Sequence, residues 1–139
     1  MPGVFVAIFD DAGRVLLGKR ADNGRWAPIS GISEPGEPPA VTAVREAREE
    51  AGVEVVVERV SGVYASPLIE YPNGDVARYT TTAFRCRYVS GEPRVSDDES
   101  LDVRFFPMDA LPDELRPDHV RMLNDAAEPG ANSAARFDR

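Results

Sequence analysis

Short apolar runs separated by turn-forming clusters set the layout of the chain. "VFVAIF" and "VLLGK" flank Asp10-Asp11-Ala12-Gly13, which predicts a β-hairpin. "RADNGRWAPISGISEPGEPP" follows, rich in glycine and proline and without periodicity, and reads as a long loop. Loops of this length inside compact domains are commonly functional. A helix is expected to start at Pro38 or Pro39, because proline suits the first helical turn. It should stop at Gly52, a residue type favoured just past a helix end.

Beyond the helix, "VEVVVERVSGVYASPLIEY" is rich in β-branched residues and predicts one or two strands. "YPNGD" is a turn: proline presets φ and Asn-Gly accepts positive φ. "VARYTTTAFRCRYV" returns as a strand, with Ala83, Arg85 and Arg87 alternating with Phe84, Cys86 and Tyr88. "LDVRFF" is a further strand after the acidic loop "SDDES", and "RPDHVRMLNDAA" a last helix with Asp118 near its start. The pattern gives one domain over residues 1–127 and a tail, 128–139, with little to bury and expected to be loose. Strands, a central helix, more strands and a final helix make a mixed α/β or α+β layer fold.

Composition narrows the partners. The chain has 139 residues, 42 % hydrophobic and 29 % charged, which fits one folded domain. No apolar run reaches the length of a membrane span, and no basic leader is visible, so a cytoplasmic location without membrane attachment is expected. The single cysteine, Cys86, excludes an intramolecular disulfide and reads as a small buried apolar residue. A net charge of −8 and a pI near 4.7 argue against a nucleic acid polymer as partner. A small anionic substrate would need local bases or bridging cations.

The one feature that breaks local rules is "VREAREEAGVEV", with four glutamates between Glu46 and Glu54. On a helical wheel Val41, Val44 and Ala51, with Ala40 and Ala47, share one side. Glu46, Glu49 and Glu50 fall opposite, within about 100°. Glu46 is i,i+3 to Glu49 and i,i+4 to Glu50, and like charges at those spacings repel. The last two also sit where the helix dipole disfavours anions. Arg45 offsets part of this as an i,i+4 partner of Glu49. Such a run is commonly a solvated face; the alternative is a site for a hard cation such as Mg2+ or Mn2+. Glu54 lies past Gly52 and drops out of the cluster.

The residues before the helix change the balance. Gly31, then Glu37, then Arg45-Glu46-Ala47-Arg48-Glu49-Glu50-Ala51-Gly52-Val53 resembles the Nudix box, the signature of the Nudix hydrolases. "VLLGKR", "GRWAPISG" and "ESLDVRFFPMDALP" also resemble segments flanking the box in that family. One departure is visible: many members carry Pro-Gly-Gly where this chain has Pro28-Ile29-Ser30-Gly31. The resemblance implies an α/β/α sandwich with a mixed sheet and two main helices. It implies hydrolysis, with Mg2+ or Mn2+, of a nucleoside diphosphate linked to another group. ADP-ribose-type nucleotide sugars and nucleoside triphosphates, oxidised ones included, remain alternatives, as does a sensor that binds a nucleotide without cleaving it. By the same resemblance Glu46, Glu49, Glu50 and the Gly31 carbonyl would be metal ligands, Arg45 would orient Glu49, and Glu37 would tie the loop to the helix. The general base is left between Glu46 and Glu99. A homodimer is expected by analogy alone.

Several further residues carry two readings. Lys19, Arg20 and Arg25 precede the box and are candidates for phosphate contact, or exposed strand-end charges. Arg78, Arg85 and Arg87 are placed on a strand, with Arg78 a candidate for substrate contact. Trp26, Phe9, Tyr64 and Tyr71 could stack a base or fill the core. Asp97, Asp98 and Glu99 form either a working loop or a solvated one, and Glu34 is a candidate support for the metal loop. Pro67 resembles a proline of ADP-ribose-cleaving relatives, but an edge strand explains it as well. His119, alone near a helix start, has no catalytic argument in the sequence.

Overall fold

The structure, a computed structural model, describes residues 2–66, 68–70, 72–96, 98–128 and 135–137. Pro67, Tyr71 and Asp97 lie outside the described residues, as does most of the expected tail. The elements are β1 (Pro2–Phe9), β2 (Val15–Arg20), β3 (Trp26–Ile32), α1 (Pro39–Ala51), β4 (Glu54–Ala65), β5 (Ile69–Glu70), β6 (Val76–Ala77), β7 (Thr80–Ser90), β8 (Ser100–Phe106), α2 (Pro117–Ala127) and β9 (Arg136–Phe137). Seven strands form one sheet in the order β8-β2-β3-β1-β7-β4-β9. It is mixed: β1 runs parallel to β7 and antiparallel to β3.

Strand β1 is buried from Gly3 to Phe9 without alternating polarity, because both faces of the sheet are covered. Val4, Val6 and Ile8 face one cluster, which includes Ala43, Ala47 and Ala51 of α1. Phe5, Ala7 and Phe9 face the other, which includes Met122, Leu123 and Ala126 of α2. The result is the α/β/α sandwich, with one helix on each face.

Three expectations need correction. The turn at Asp10–Gly13 forms, with Gly13 N–H donating to the Asp10 carbonyl at 3.0 Å. Yet β1 and β2 pair directly only at Phe9 and Val15, because β3 lies between them. That strand occupies part of the stretch read as a loop. Its residues 26–28 pair with β2 and its residues 29–32 with β1. Pro28, which has no N–H to give, sits at the switch between partners. Ile29, in the stretch that departs from Pro-Gly-Gly, is 1 % exposed and joins the α1-side core. Within the tail, Arg136–Phe137 is not loose chain but a short strand beside Gly62 and Val63 of β4. Cys86 is fully buried, which pushes its thiol up to about 12 and leaves it inert at neutral pH. Among the described residues no helix is long and apolar enough to cross a membrane.

Candidate active site

Helix α1 begins after extended Pro38, with Pro39 in its first turn. It ends on Gly52, whose N–H donates to the Arg48 carbonyl at 3.0 Å and whose left-handed φ of 69° turns the Val53 N–H back to the Ala47 carbonyl at 3.3 Å. The Ser96 hydroxyl donates to the Glu49 carbonyl at 2.5 Å, satisfying another free end group. The buried face is Thr42, Ala43, Ala47 and Ala51. Val41, placed in the core by the wheel, is 52 % exposed. Alanines allow the helix to lie close to the sheet, and the resulting rotation brings Glu46 to the sheet side instead of opposite it. The Glu46 side chain is only 12 % exposed, whereas Glu49 stays 56 % exposed.

Close packing explains Gly31. A Cβ there would overlap the Glu46 side chain, so the bare backbone of β3 is what lets that carboxylate in. The Glu46 and Glu50 side chains are in hydrogen-bonding contact. Two carboxylates in contact require a proton or a cation to share. Burial pushes Glu46 upward, Glu49 adds to the shift, and Arg45 opposes it.

Arg45 ties loop to helix. Its guanidinium grips Glu37 with two bonds of 2.8 and 2.9 Å and reaches Glu46 and Glu49 at 3.0 Å each. It also donates to the Ile32 carbonyl at 3.2 Å. The Thr42 hydroxyl donates to Glu37 at 2.7 Å and so accepts from Ser33 at 2.8 Å. Glu54, outside the cluster as expected, pairs with Arg48 at 2.6 Å.

The carboxylates open onto a cavity of about 830 Å3. Gly31, Glu46, Glu49 and Glu50 form one wall, and Arg20, Arg25, Trp26 and Glu99 contribute to it. A third part comes from α2, from Phe5 of β1 and from Tyr64 of β4. Among the described residues no three metal-ligating side chains stand around one point. The donor types, hard oxygens with two carboxylates already in contact, nevertheless fit Mg2+ or Mn2+.

The family model for the NUDIX domain matches residues 1–126. The chain belongs to the Nudix family. It is 34 % identical over 116 residues to a MutT-like protein of Streptomyces ambofaciens, covering 84 % of this chain and 70 % of that one. It is also 34 % identical over 128 residues to the ADP-ribose pyrophosphatase of Methanocaldococcus jannaschii, covering 89 % of this chain and 72 % of that one. The crystal structure of an ADP-ribose pyrophosphatase from Streptococcus suis superposes with a TM-score of 0.78 at 25 % identity, over 99 % and 98 % of the two chains. As a Nudix hydrolase the chain acts on pyrophosphate linkages.

Within this Nudix site the other predicted residues divide. Arg20 lines the cavity, paired with Asp22 at 3.0 and 2.8 Å and within the field of Glu50 and Glu99. Lys19, half-buried, does not line it. Trp26 does, but its ring is already engaged by Phe106 edge-on at 4.8 Å and by the Arg104 guanidinium at 5.0 Å. Arg78 falls between β6 and β7 instead of on a strand, is exposed, and does not line the cavity. Arg85 donates to the Ala126 carbonyl at 2.7 Å and so serves the end of α2. Glu34 is exposed and gives its backbone N–H to Glu37 at 3.1 Å. Missed by sequence reasoning were Arg116, just before α2, and the cavity residues of α2, among them His119 and Arg121. Their positions depend on how α2 packs across the sheet, and no local pattern announces that.

The Glu37 clamp carries a pH signature. Arg45 first, then Thr42, hold the Glu37 carboxyl down to about 2 from 4.5. A depressed carboxyl stabilises the fold above its ordinary value, and that contribution fades as pH falls from 4.5 through about 2. The stability gap between wild type and Glu37→Gln is therefore expected to be constant above 4.5 and to close below it. Urea unfolding of both proteins across acid pH measures this, and a gap that widened in acid would remove the clamp.

Proposed function

We propose that this Nudix hydrolase is a divalent-cation-dependent pyrophosphohydrolase that cleaves a nucleoside diphosphate linked to a second group by attack of water on phosphorus. The observation that carries the reading is the Glu46–Glu50 carboxylate contact beside Gly31, at the wall of a cavity that also holds Arg20 and Arg25. Glu46, Glu49, Glu50 and the Gly31 carbonyl would hold Mg2+ or Mn2+. When bound, the cation would neutralise phosphate oxygens and acidify a water.

The chain's own groups divide the remaining work. Arg45 fixes Glu46 and Glu49 and links them to Glu37. Arg20 and Arg25 meet phosphate oxygens. Glu46, its carboxyl pushed upward by burial, suits proton acceptance from water. Glu99, lining the same cavity, is the second candidate base. The substrate class includes ADP-ribose-type nucleotide sugars, the activity named for the Methanocaldococcus jannaschii and Streptococcus suis proteins. Nucleoside triphosphates, oxidised forms included, are its other members. A cytoplasmic enzyme, homodimeric by analogy with relatives, completes the reading.

A panel of nucleotide sugars and nucleoside triphosphates, incubated with Mg2+ and analysed for released phosphates, is expected to give two phosphorylated products from at least one substrate. Hydrolysis in heavy-oxygen water then identifies the phosphorus attacked. Binding without products from any substrate would replace the hydrolase by the nucleotide sensor.

A further inference from the structure

His119 sits in the first turn of α2 and lines the cavity, yet the proposed chemistry leaves it without a task. Its ring packs at 6.0 Å and 49° against Phe5, a core residue of β1. Nδ1 is sealed from solvent and has no hydrogen-bond partner. The sealing is confined to that nitrogen, so the ring reaches the cavity by its Nε2 edge. A buried N–H without an acceptor is rarer and costlier than a bare lone pair. The proton therefore belongs on Nε2, and the imidazole offers the cavity a donor.

We propose that His119 is a substrate-binding residue, donating from Nε2 to an acceptor on the heterocyclic base of the nucleotide. This rests on the nucleotide reading above and adds to it a base subsite. The lining near the ring mixes Phe5 and Met122, against which a heterocycle can lie, with the charged Arg116, Asp118 and Arg121; the uncharged imidazole, tilted on Phe5, suits an acceptor on a heterocycle. Arg20 lines the same cavity as His119, Glu50 and Glu99, and all three lie within its electrostatic reach. Phosphates beside Arg20 would leave the base directed to α2. Burial, with Arg116 and Arg20, outweighs Asp118 and keeps the imidazole neutral, as a single-donor contact requires.

The chain contains one histidine, so its imidazole resonances are unambiguous in the wild-type protein. Nitrogen-15 NMR of histidine-labelled protein without divalent cation is expected to show the Nε2–H tautomer. At least one of AMP, GMP and UMP should shift Nε2, while ribose 5-phosphate leaves it unmoved. His119→Gln, which places an amide near the Nε2 position, should keep the affinity for that nucleotide. His119→Asn, which cannot reach so far, should weaken it about five- to tenfold. An Nδ1–H tautomer, silence towards all three nucleotides, or an equal response to ribose 5-phosphate would each overturn the assignment. A responsive His119 in a protein that hydrolyses nothing would leave the base site standing and remove the hydrolase; hydrolysis with a silent His119 would do the reverse.

Discussion

Glu50→Gln is expected to lower kcat by at least about a hundredfold, because changing a group that merely orients a metal ligand already costs 10–100-fold. The substitution keeps the shape of the side chain and removes one charge from the contact with Glu46. It thereby removes the pairing that gives a cation its advantage over a shared proton. The activity that remains should require more Mg2+. The fold should persist, because Glu50 lies in the last turn of α1, where the helix dipole disfavours an anion. Melting temperature should therefore hold or rise while turnover collapses. Glu49→Gln should behave similarly, with a smaller shift in melting temperature, since its carboxylate is already 56 % exposed. Steady-state kinetics across a Mg2+ titration, beside thermal unfolding, measures both. Full turnover in Glu50→Gln would end the assignment of the carboxylates.

What was legible in the sequence follows from which features are local. Pro39 and Gly52 bound α1 because each acts on its own backbone. The Gly31-to-Val53 spacing was legible because loop and helix form one continuous piece of chain, clamped by Glu37 and Arg45. The buried face of α1 was legible in part: Ala47 and Ala51 are buried and Ala40 and Val44 pack against the core as the wheel places them. Val41 is exposed and Thr42 and Ala43 are buried in its place, since what decides is how near the sheet the helix can lie. Strand β3 was hidden because Pro28, Ser30 and Gly31 have little strand propensity; pairing with β1 and β2 overrides it. His119 was invisible for a related reason. Its packing depends on Phe5, at the other end of the chain, and on α2 crossing the face of the sheet opposite α1.

Gly31→Ala is the substitution that separates space from conformation. Gly31 does not have positive φ, so alanine is acceptable to its backbone. The obstacle is Glu46, whose Cγ, Cδ and Oε1 occupy the place of the new methyl. Glu46 cannot swing aside freely: Arg45 holds it at 3.0 Å, and its side chain is 12 % exposed. The methyl must therefore push the carboxylate away from Glu50 or lift α1 off the sheet at Ala43 and Ala47. The first is the smaller disturbance, since the second opens a core in which both alanines are fully buried. A displaced catalytic group costs on the order of a hundredfold in rate for an ångström of error. The expected result is thus a fall in kcat of about that size with a modest loss of stability. A double-mutant cycle makes the cause visible. If the methyl acts by moving Glu46, it has little left to destroy once Glu46→Gln has removed the charge. The double variant should then be nearly as active as Glu46→Gln alone. Losses that multiplied instead would mean that Gly31 serves the site independently of Glu46.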